Sequence, residues 1–199
     1  MTYVNAGSLV DTAWVADHLD DPNVRILDGS YHLAATGRNG KAEYQEAHIP
    51  GTIHFDIDAV CDPAPTPSPH MFPSADDFSA AVGAMGISND QRVIVYDADG
   101  LFSAPRVWWM FRAFGHENVA VMTGGFRKWQ AEDRPVTADI PSFAAATFSA
   151  SLDETKLRSI AQIQANIEST EELVLDARAA NRFDGSQPEA RAGVEPGHI

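Results

Sequence analysis

Short, mainly apolar runs alternate with helical patterns along this chain of 199 residues. Residues 24–28 and 92–97 each end in an aspartate and are typical of buried strands, and residues 118–122 form a third run. Helical spacing or capping signals occur at residues 11–19, 41–47, 74–85, 105–114 and around Trp129. The alternation predicts an α/β domain with a mostly parallel sheet flanked by helices.

Two stretches of the chain lack this periodicity. Residues 61–70 contain four prolines, which forbid a helix and a central strand and predict an extended surface loop. Residues 135–152 have no clear pattern and are predicted to be a linker. After the linker, isoleucines at helical spacing predict a helix over residues 160–167, and residues 173–176 are predicted to form a new strand.

The chain also repeats part of itself. Asp28 precedes His48 by 20 positions (48 − 28), and Asp176 precedes His198 by 22 (198 − 176), with a helix before the strand in each copy. A repeat offset of about 150 residues is typical of domain duplication. We therefore predict a first domain at residues 1–134 and the start of a second at 153–199. The second copy stops before most of its sheet, so we expect further polypeptide to complete it.

Charge and cysteine content narrow the function classes. Fourteen basic against 28 acidic side chains give a net charge of −14, which disfavours nucleic acid and anionic membrane surfaces as partners. A single cysteine, Cys61, excludes an internal disulfide and fits a reducing compartment. The N-terminus lacks a secretory pattern, and the apolar runs are too short to cross a bilayer. We expect a soluble, cytoplasmic protein.

Several long motifs occur in a characteristic order, at residues 48–51, 55–58, 69–71, 104–111, 124–129, 176–178 and 182–185. With these motifs the chain resembles tandem rhodanese-type sulfurtransferases. The resemblance implies a rhodanese-like domain with a mostly parallel sheet flanked by helices, followed by the start of a second, duplicated rhodanese-like domain. It also implies that sulfur moves from a donor to an acceptor through a cysteine persulfide.

Persulfide chemistry needs a thiolate in a loop whose backbone N–H groups lead into a helix N-terminus, because this arrangement lowers the thiol pKa. In the first copy the corresponding loop is residues 97–103, which contains Asp97 and Asp99 but no cysteine. Two carboxylates would raise the pKa of a neighbouring thiol, so the first domain is expected to be catalytically silent. The same interval in the second copy places the nucleophile near position 247 (198 + 97 − 48), beyond residue 199. Cys61 is expected to be an inert structural thiol.

Candidate substrate-binding and proton-transfer residues follow from the resemblance to the 3-mercaptopyruvate branch of the family. It implies that Arg182 and Arg191 bind the carboxylate and keto group of the donor, and Arg191 favours 3-mercaptopyruvate over thiosulfate. Without the resemblance, both would be surface arginines near glutamates. It also implies that His70 and Asp58 join a serine of the catalytic loop in a proton relay. The alternative is an exposed loop histidine and an aspartate that caps a turn.

The sequence leaves the role of Arg106 open and gives no support to a metal, nucleotide or cofactor site. For Arg106, a contact with the cleft between the domains and a structural ion pair both remain open. His48 and His198 each stand alone before an isoleucine and are expected to hydrogen-bond locally, so no metal site is expected. No nucleotide-binding or zinc-protease motif occurs, and no cofactor is expected.

The leading hypothesis is sulfur transfer from 3-mercaptopyruvate to a thiophilic acceptor. The alternatives are transfer from thiosulfate, or a non-catalytic rhodanese-like binding module. Expected partners are a small anionic sulfur donor, a thiol or cyanide-like acceptor and the remainder of the second domain.

Overall fold

A computed structural model describes residues 6–64, 70–189 and 194–198 of the chain. It divides into two compact units, Met1–Asp153 and Glu154–Ile199. The first unit contains a five-stranded parallel sheet in the order β1-β5-β4-β2-β3. Its strands are β1 (Leu9–Val10), β2 (Val24–Asp28), β3 (Ile53–His54), β4 (Arg92–Tyr96) and β5 (Val119–Met122).

Five α-helices connect and flank these strands. They are α1 (Thr12–Asp17), α2 (Gly40–Glu46), α3 (Ala75–Ala84), α4 (Ala104–Ala113) and α5 (Gly125–Ala131). One apolar cluster joins the sheet to α3 and α4 through Phe78 and Phe111, and a second joins it to α1 and α5 through Val15 and Trp129. The predicted α/β architecture with helices flanking a parallel sheet is confirmed. Within the described ranges, no helix has both the length and the apolar character needed to cross a membrane.

Residues 135–152, predicted to be a linker, pack along the first unit without forming a helix or a strand of the sheet. Thr137 and His48 exchange two backbone hydrogen bonds of 2.9 Å each, and Ala146 N donates to Gly83 O at 2.9 Å. A Cβ atom on Gly83 would lie 2.6 Å from the Ala146 carbonyl oxygen, so this approach requires glycine. Phe148 is buried in the apolar cluster of α3 and α4. The segment therefore contributes to the core of the first unit.

The described part of the second unit contains two α-helices, α6 (Ile160–Ser169) and α7 (Ala180–Phe183). A capping box between Ser159 and Gln162 begins α6, as the polar residue before the isoleucines indicates. The strand predicted over residues 173–176 is wrong, because no strand lies beside it in the described part of this unit. The side chains of Leu173 and Leu175 are accordingly 87% and 80% exposed. An extended segment becomes a stable strand only when a neighbour accepts and donates its backbone hydrogen bonds.

His116 is a buried histidine in the core of the first unit. It is 4% exposed and packs against the rings of Phe111 and Phe148, at 5.5 and 5.6 Å between centroids. Burial lowers the pKa of His116 below its ordinary 6.5. Below pH 6.5 the unfolded chain therefore binds more protons than the folded one, and stability is lost as the pH falls.

We expect the free energy of unfolding to decrease from pH 6.5 towards about pH 5, and the substitution His116→Phe to reduce this slope. Part of the slope should remain, because burial also lowers the pKa of His54. Urea denaturation at several pH values measures this dependence of the free energy of unfolding on pH. An unchanged slope in the variant would show that His116 does not contribute.

Candidate active site

The loop that follows β4, residues 97–103, wraps around its own first side chain. The Asp97 carboxylate accepts hydrogen bonds from the backbone N–H groups of four residues, at 2.5, 2.7, 2.7 and 2.8 Å: Gly100, Phe102, Ser103 and Ala104. These groups lead directly into the N-terminus of α4, where an anion is favoured by the unpaired N–H groups and the helix dipole. The anion-binding position of this loop, here called the Asp97 loop, is therefore filled by Asp97 itself.

Contacts from outside fix the Asp97 loop in place. Arg38 donates to both carboxylate oxygens of Asp99, at 3.0 and 3.2 Å, and to Glu43 on α2 at 2.8 Å. The hydrogen bond from Arg38 lowers the pKa of the Glu43 carboxyl group. On the other side, a Cβ atom on Gly125 would lie only 2.3 Å from the Asp97 carbonyl oxygen. The absence of a side chain on Gly125, the first residue of α5, thus permits close packing on the loop.

His70 and Asp58 lie together at the surface of the first unit. The imidazole Nε2 is 2.5 Å from Asp58 Oδ1, and the two side chains are 27% and 67% exposed. A 2.9 Å hydrogen bond from Asp62 N to Met71 O closes the base of the proline-rich loop. This closure brings His70 near Asp58. The pair is therefore open to solvent and to a reactant.

The turn before this pair is capped by a different aspartate. Asp56 Oδ1 accepts from the backbone N–H groups of Asp58 and Ala59, at 3.0 and 3.2 Å. The Asp58 carboxylate is left to contact His70. The thiol of Cys61 donates to the Asp58 carbonyl oxygen at 3.1 Å, so the single cysteine also lies beside the pair.

Tyr31 and Arg106 complete the surroundings of His70. The Tyr31 ring meets the imidazole edge-on, with 5.2 Å between the ring centroids. Arg106 Nη2 donates to the backbone carbonyl oxygen of His70 at 2.5 Å. Neither residue is close to His70 in sequence, so no local pattern indicates these contacts.

The predicted donor-binding arginines belong to the second unit. Arg182, on α7, forms an ion pair with Glu189, and Arg178 donates to the other oxygen of the same carboxylate at 2.7 Å. The Arg182 guanidinium is therefore already occupied by a carboxylate. Arg191 lies outside the described residues.

A cavity of about 360 Å³ opens at the carboxyl end of β2, next to the Asp97 loop. Its lining carries charges of both signs, from Asp28, Arg38, Asp99 and Arg127 among others. Burial raises the pKa of Asp28, which is 3% exposed. A second cavity of about 150 Å³ is lined by Tyr31, Asp58 and neighbouring residues.

The two histidines that precede isoleucine hydrogen-bond to backbone carbonyl groups. His48 Nδ1 is 2.6 Å from Tyr44 O, and its Nε2 is 3.2 Å from Asp139 O. His198 Nδ1 is 2.7 Å from Phe183 O. In the described ranges, no group of three or more histidine, cysteine or acidic side chains is arranged to hold a metal ion.

Comparison with known proteins adds to this geometry. The profile of the family described as Rhodanese-like domain matches residues 11–132. The 3-mercaptopyruvate sulfurtransferase of Rattus norvegicus is 43% identical over 198 residues, which are 96% of this chain and 66% of that protein. The thiosulfate sulfurtransferase of Bos taurus is 44% identical over 199 residues, with the same shares. The chain thus spans 66% of the length of these curated relatives.

Solved structures show the same architecture. SseA from Escherichia coli, described as having the rhodanese fold of 3-mercaptopyruvate sulfotransferases, superposes with a TM-score of 0.85 at 35% identity, covering 96% of this chain and 72% of that one. The sulfur transferase subunit of yeast mitochondrial complex I gives a TM-score of 0.84 at 30% identity, covering 96% and 71%.

Proposed function

We propose that this chain, which belongs to the rhodanese-like domain family, forms the N-terminal part of a 3-mercaptopyruvate sulfurtransferase. The nucleophilic cysteine would lie beyond residue 199, in the part of the relatives' length that this chain does not span. The observation that carries the proposal is the 2.5 Å contact between His70 and Asp58, because a histidine oriented by a carboxylate can carry protons near neutral pH.

The proposed reaction has two steps. A cysteine thiolate attacks the sulfur atom of 3-mercaptopyruvate, the carbon–sulfur bond breaks, and its electron pair passes to the carbon. That carbon takes up the proton lost from the donor's thiol, which yields pyruvate and a cysteine persulfide. The outer sulfur atom then passes to a thiol or cyanide-like acceptor, and the cysteine thiolate is regenerated. His70 would move the proton, and Asp58 would fix the imidazole tautomer.

Arg182 and Arg191 are proposed to bind the donor. A guanidinium group suits this role because its paired N–H groups match the geometry of a carboxylate. For Arg182, binding would exchange the Glu189 carboxylate for that of the donor. The first domain would not form a persulfide in its Asp97 loop, since the anion-binding N–H groups there already hold Asp97.

Thiosulfate is the second candidate donor, because the thiosulfate and 3-mercaptopyruvate sulfurtransferases are similar to this chain at nearly equal identity, 44% and 43%. A non-catalytic binding module is the third, since the 199 residues contain one cysteine, whose thiol bonds to a backbone carbonyl. We also propose a cytoplasmic location, and no nucleic-acid or membrane partner in view of the net charge of −14. The remainder of the second domain is proposed as an intramolecular partner.

Mass spectrometry of the purified protein tests the function. After incubation with 3-mercaptopyruvate or thiosulfate, we expect a polypeptide longer than the 21.5 kDa chain to gain the mass of one sulfur atom. Peptide mapping should place it on a cysteine beyond residue 199, with faster gain from 3-mercaptopyruvate. The Cys61→Ser variant is the matched control and should gain sulfur equally. Sulfur on Cys61 would contradict the proposed nucleophile, and no gain from either donor would favour a binding module.

A further inference from the structure

His70 has a backbone conformation that must be held by its neighbours. Its φ angle is +60°, in the left-handed region that residues with a Cβ atom seldom adopt. Such a conformation persists where surrounding contacts fix it. The direction of the imidazole towards Asp58 depends on this backbone, so whatever fixes the backbone also orients the ring.

Arg106 makes the contact that can do so. Its Nη2 donates to the His70 carbonyl oxygen at 2.5 Å, and its guanidinium carbon lies 4.6 Å from the centroid of the Phe72 ring. The His70 carbonyl group and the Phe72 ring therefore both contact the guanidinium group of Arg106. A hydrogen bond and stacking on an aromatic face are both typical uses of the planar guanidinium group.

Arg106 in turn is fixed by the fold of the first unit. It lies in the first turn of α4, directly after the Asp97 loop, whose N–H groups converge on one carboxylate. The connection runs from Asp97 through the start of α4 to the His70 carbonyl group. Residues 36 positions apart are linked in this way.

A structural ion pair does not account for Arg106. In the described part of the chain, no carboxylate lies within ion-pair distance of its guanidinium, and its buried Nε has no hydrogen-bond partner. Arg112, on the same helix, differs: it forms an ion pair with Glu117 and lies 5.2 Å from the Trp108 ring centroid. It provides a matched control.

We propose that Arg106 is a positioning residue, which holds the His70 carbonyl group and thereby keeps the imidazole on Asp58. Its importance for catalysis rests on the proposed function, whereas its effect on the orientation of His70 does not. Arg106 touches neither substrate nor the reacting atoms in this scheme, and acts through His70.

Nuclear magnetic resonance of the isotope-labelled 199-residue chain tests the proposal. Arg106→Met keeps an unbranched apolar side chain at this position but removes the guanidinium group and with it the hydrogen-bond donor. We expect it to change the nitrogen-15 shift of His70 Nε2 and to at least halve the nuclear Overhauser effect between the His70 and Tyr31 rings. Asp58→Asn should change the same nitrogen shift. Arg106→Lys, which can still donate to the carbonyl group, should restore most of both signals.

Arg112→Met should leave both His70 signals unchanged, and circular dichroism checks that every variant is folded. A folded Arg106→Met chain with unchanged His70 signals would overturn the proposal, as would equal changes in Arg112→Met. In the persulfide-forming polypeptide, we expect Arg106→Met to lower kcat about tenfold with little change in KM. Absence of sulfur transfer would contradict the proposed function but leave the resonance result on Arg106 standing, so the two failures are distinguishable.

Discussion

Replacing Asp97 with alanine should lower the free energy of unfolding by about 3 to 5 kcal/mol. Asp97 is 1% exposed, and its carboxylate accepts four backbone hydrogen bonds, three from the loop that precedes α4 and one from the first residue of that helix. Each bond to a charged acceptor contributes on the order of 1.5–3 kcal/mol, and these contributions are not additive. Their removal leaves buried N–H groups without an acceptor, which adds the cost of their desolvation. Urea denaturation, followed by circular dichroism, measures the change.

Asp99→Ala is the matched control, since it removes a carboxylate from the same loop. Asp99 is exposed and its ion pair with Arg38 is at the surface, so we expect a loss below about 1 kcal/mol. Equal losses in the two variants would contradict the role assigned to the Asp97 carboxylate. A loss confined to Asp97→Ala would support the view that this loop is stabilised by its own anion.

Replacing His70 with glutamine should lower kcat for persulfide formation from 3-mercaptopyruvate about a hundredfold. Glutamine can still hydrogen-bond but cannot exchange a proton near neutral pH, so proton transfer is lost. Asp58→Asn should have a smaller effect, about tenfold, because the imidazole remains and only its orientation is weakened. We expect little change in KM in either variant, because donor binding is assigned to Arg182 and Arg191.

Steady-state kinetics of pyruvate release in the persulfide-forming polypeptide measures both effects. His18→Gln is the control: this histidine hydrogen-bonds to the Trp14 carbonyl oxygen at the end of α1 and should leave kcat unchanged. The proposed proton relay would be excluded if His70→Gln kept the original kcat, or if His18→Gln lost as much. A rise in KM without a fall in kcat would instead indicate a role in donor binding.

Local patterns in the sequence determined the regular elements. The apolar runs that predict β2 and β4 are each five residues long, and burial on both faces of the sheet gives them a continuous apolar character. Ser74 caps α3 as predicted, because the cap and the first N–H groups it satisfies are only three residues apart. The order of long motifs indicated the family, which the profile match and the shared fold confirm.

Pairing between distant segments was decided by the tertiary structure. Strands β1 and β3 are two residues long, too short for a periodic pattern, and exist because β5 and β2 lie beside them. Residues 135–152 carry no pattern for a related reason, since their backbone groups bond to α3 and to the turn at His48. Residues 173–176 have the composition of a strand but no neighbouring strand in the described part of their unit.

Part of the candidate site could likewise be predicted from the sequence, and part was decided by the tertiary structure. The sequence, through its resemblance to the family, nominated His70, Asp58, Arg182 and Arg191, whose roles remain predictions. It identified the acidic loop, and the structure showed that Asp97 turns inward and binds three N–H groups of that loop and the first N–H group of α4. The contacts of His70 with Tyr31 and Arg106 join residues 36 or more positions apart. Residue types, motifs and local periodicity are properties of the sequence itself. Contacts between distant segments exist only after the sheet has brought those segments together.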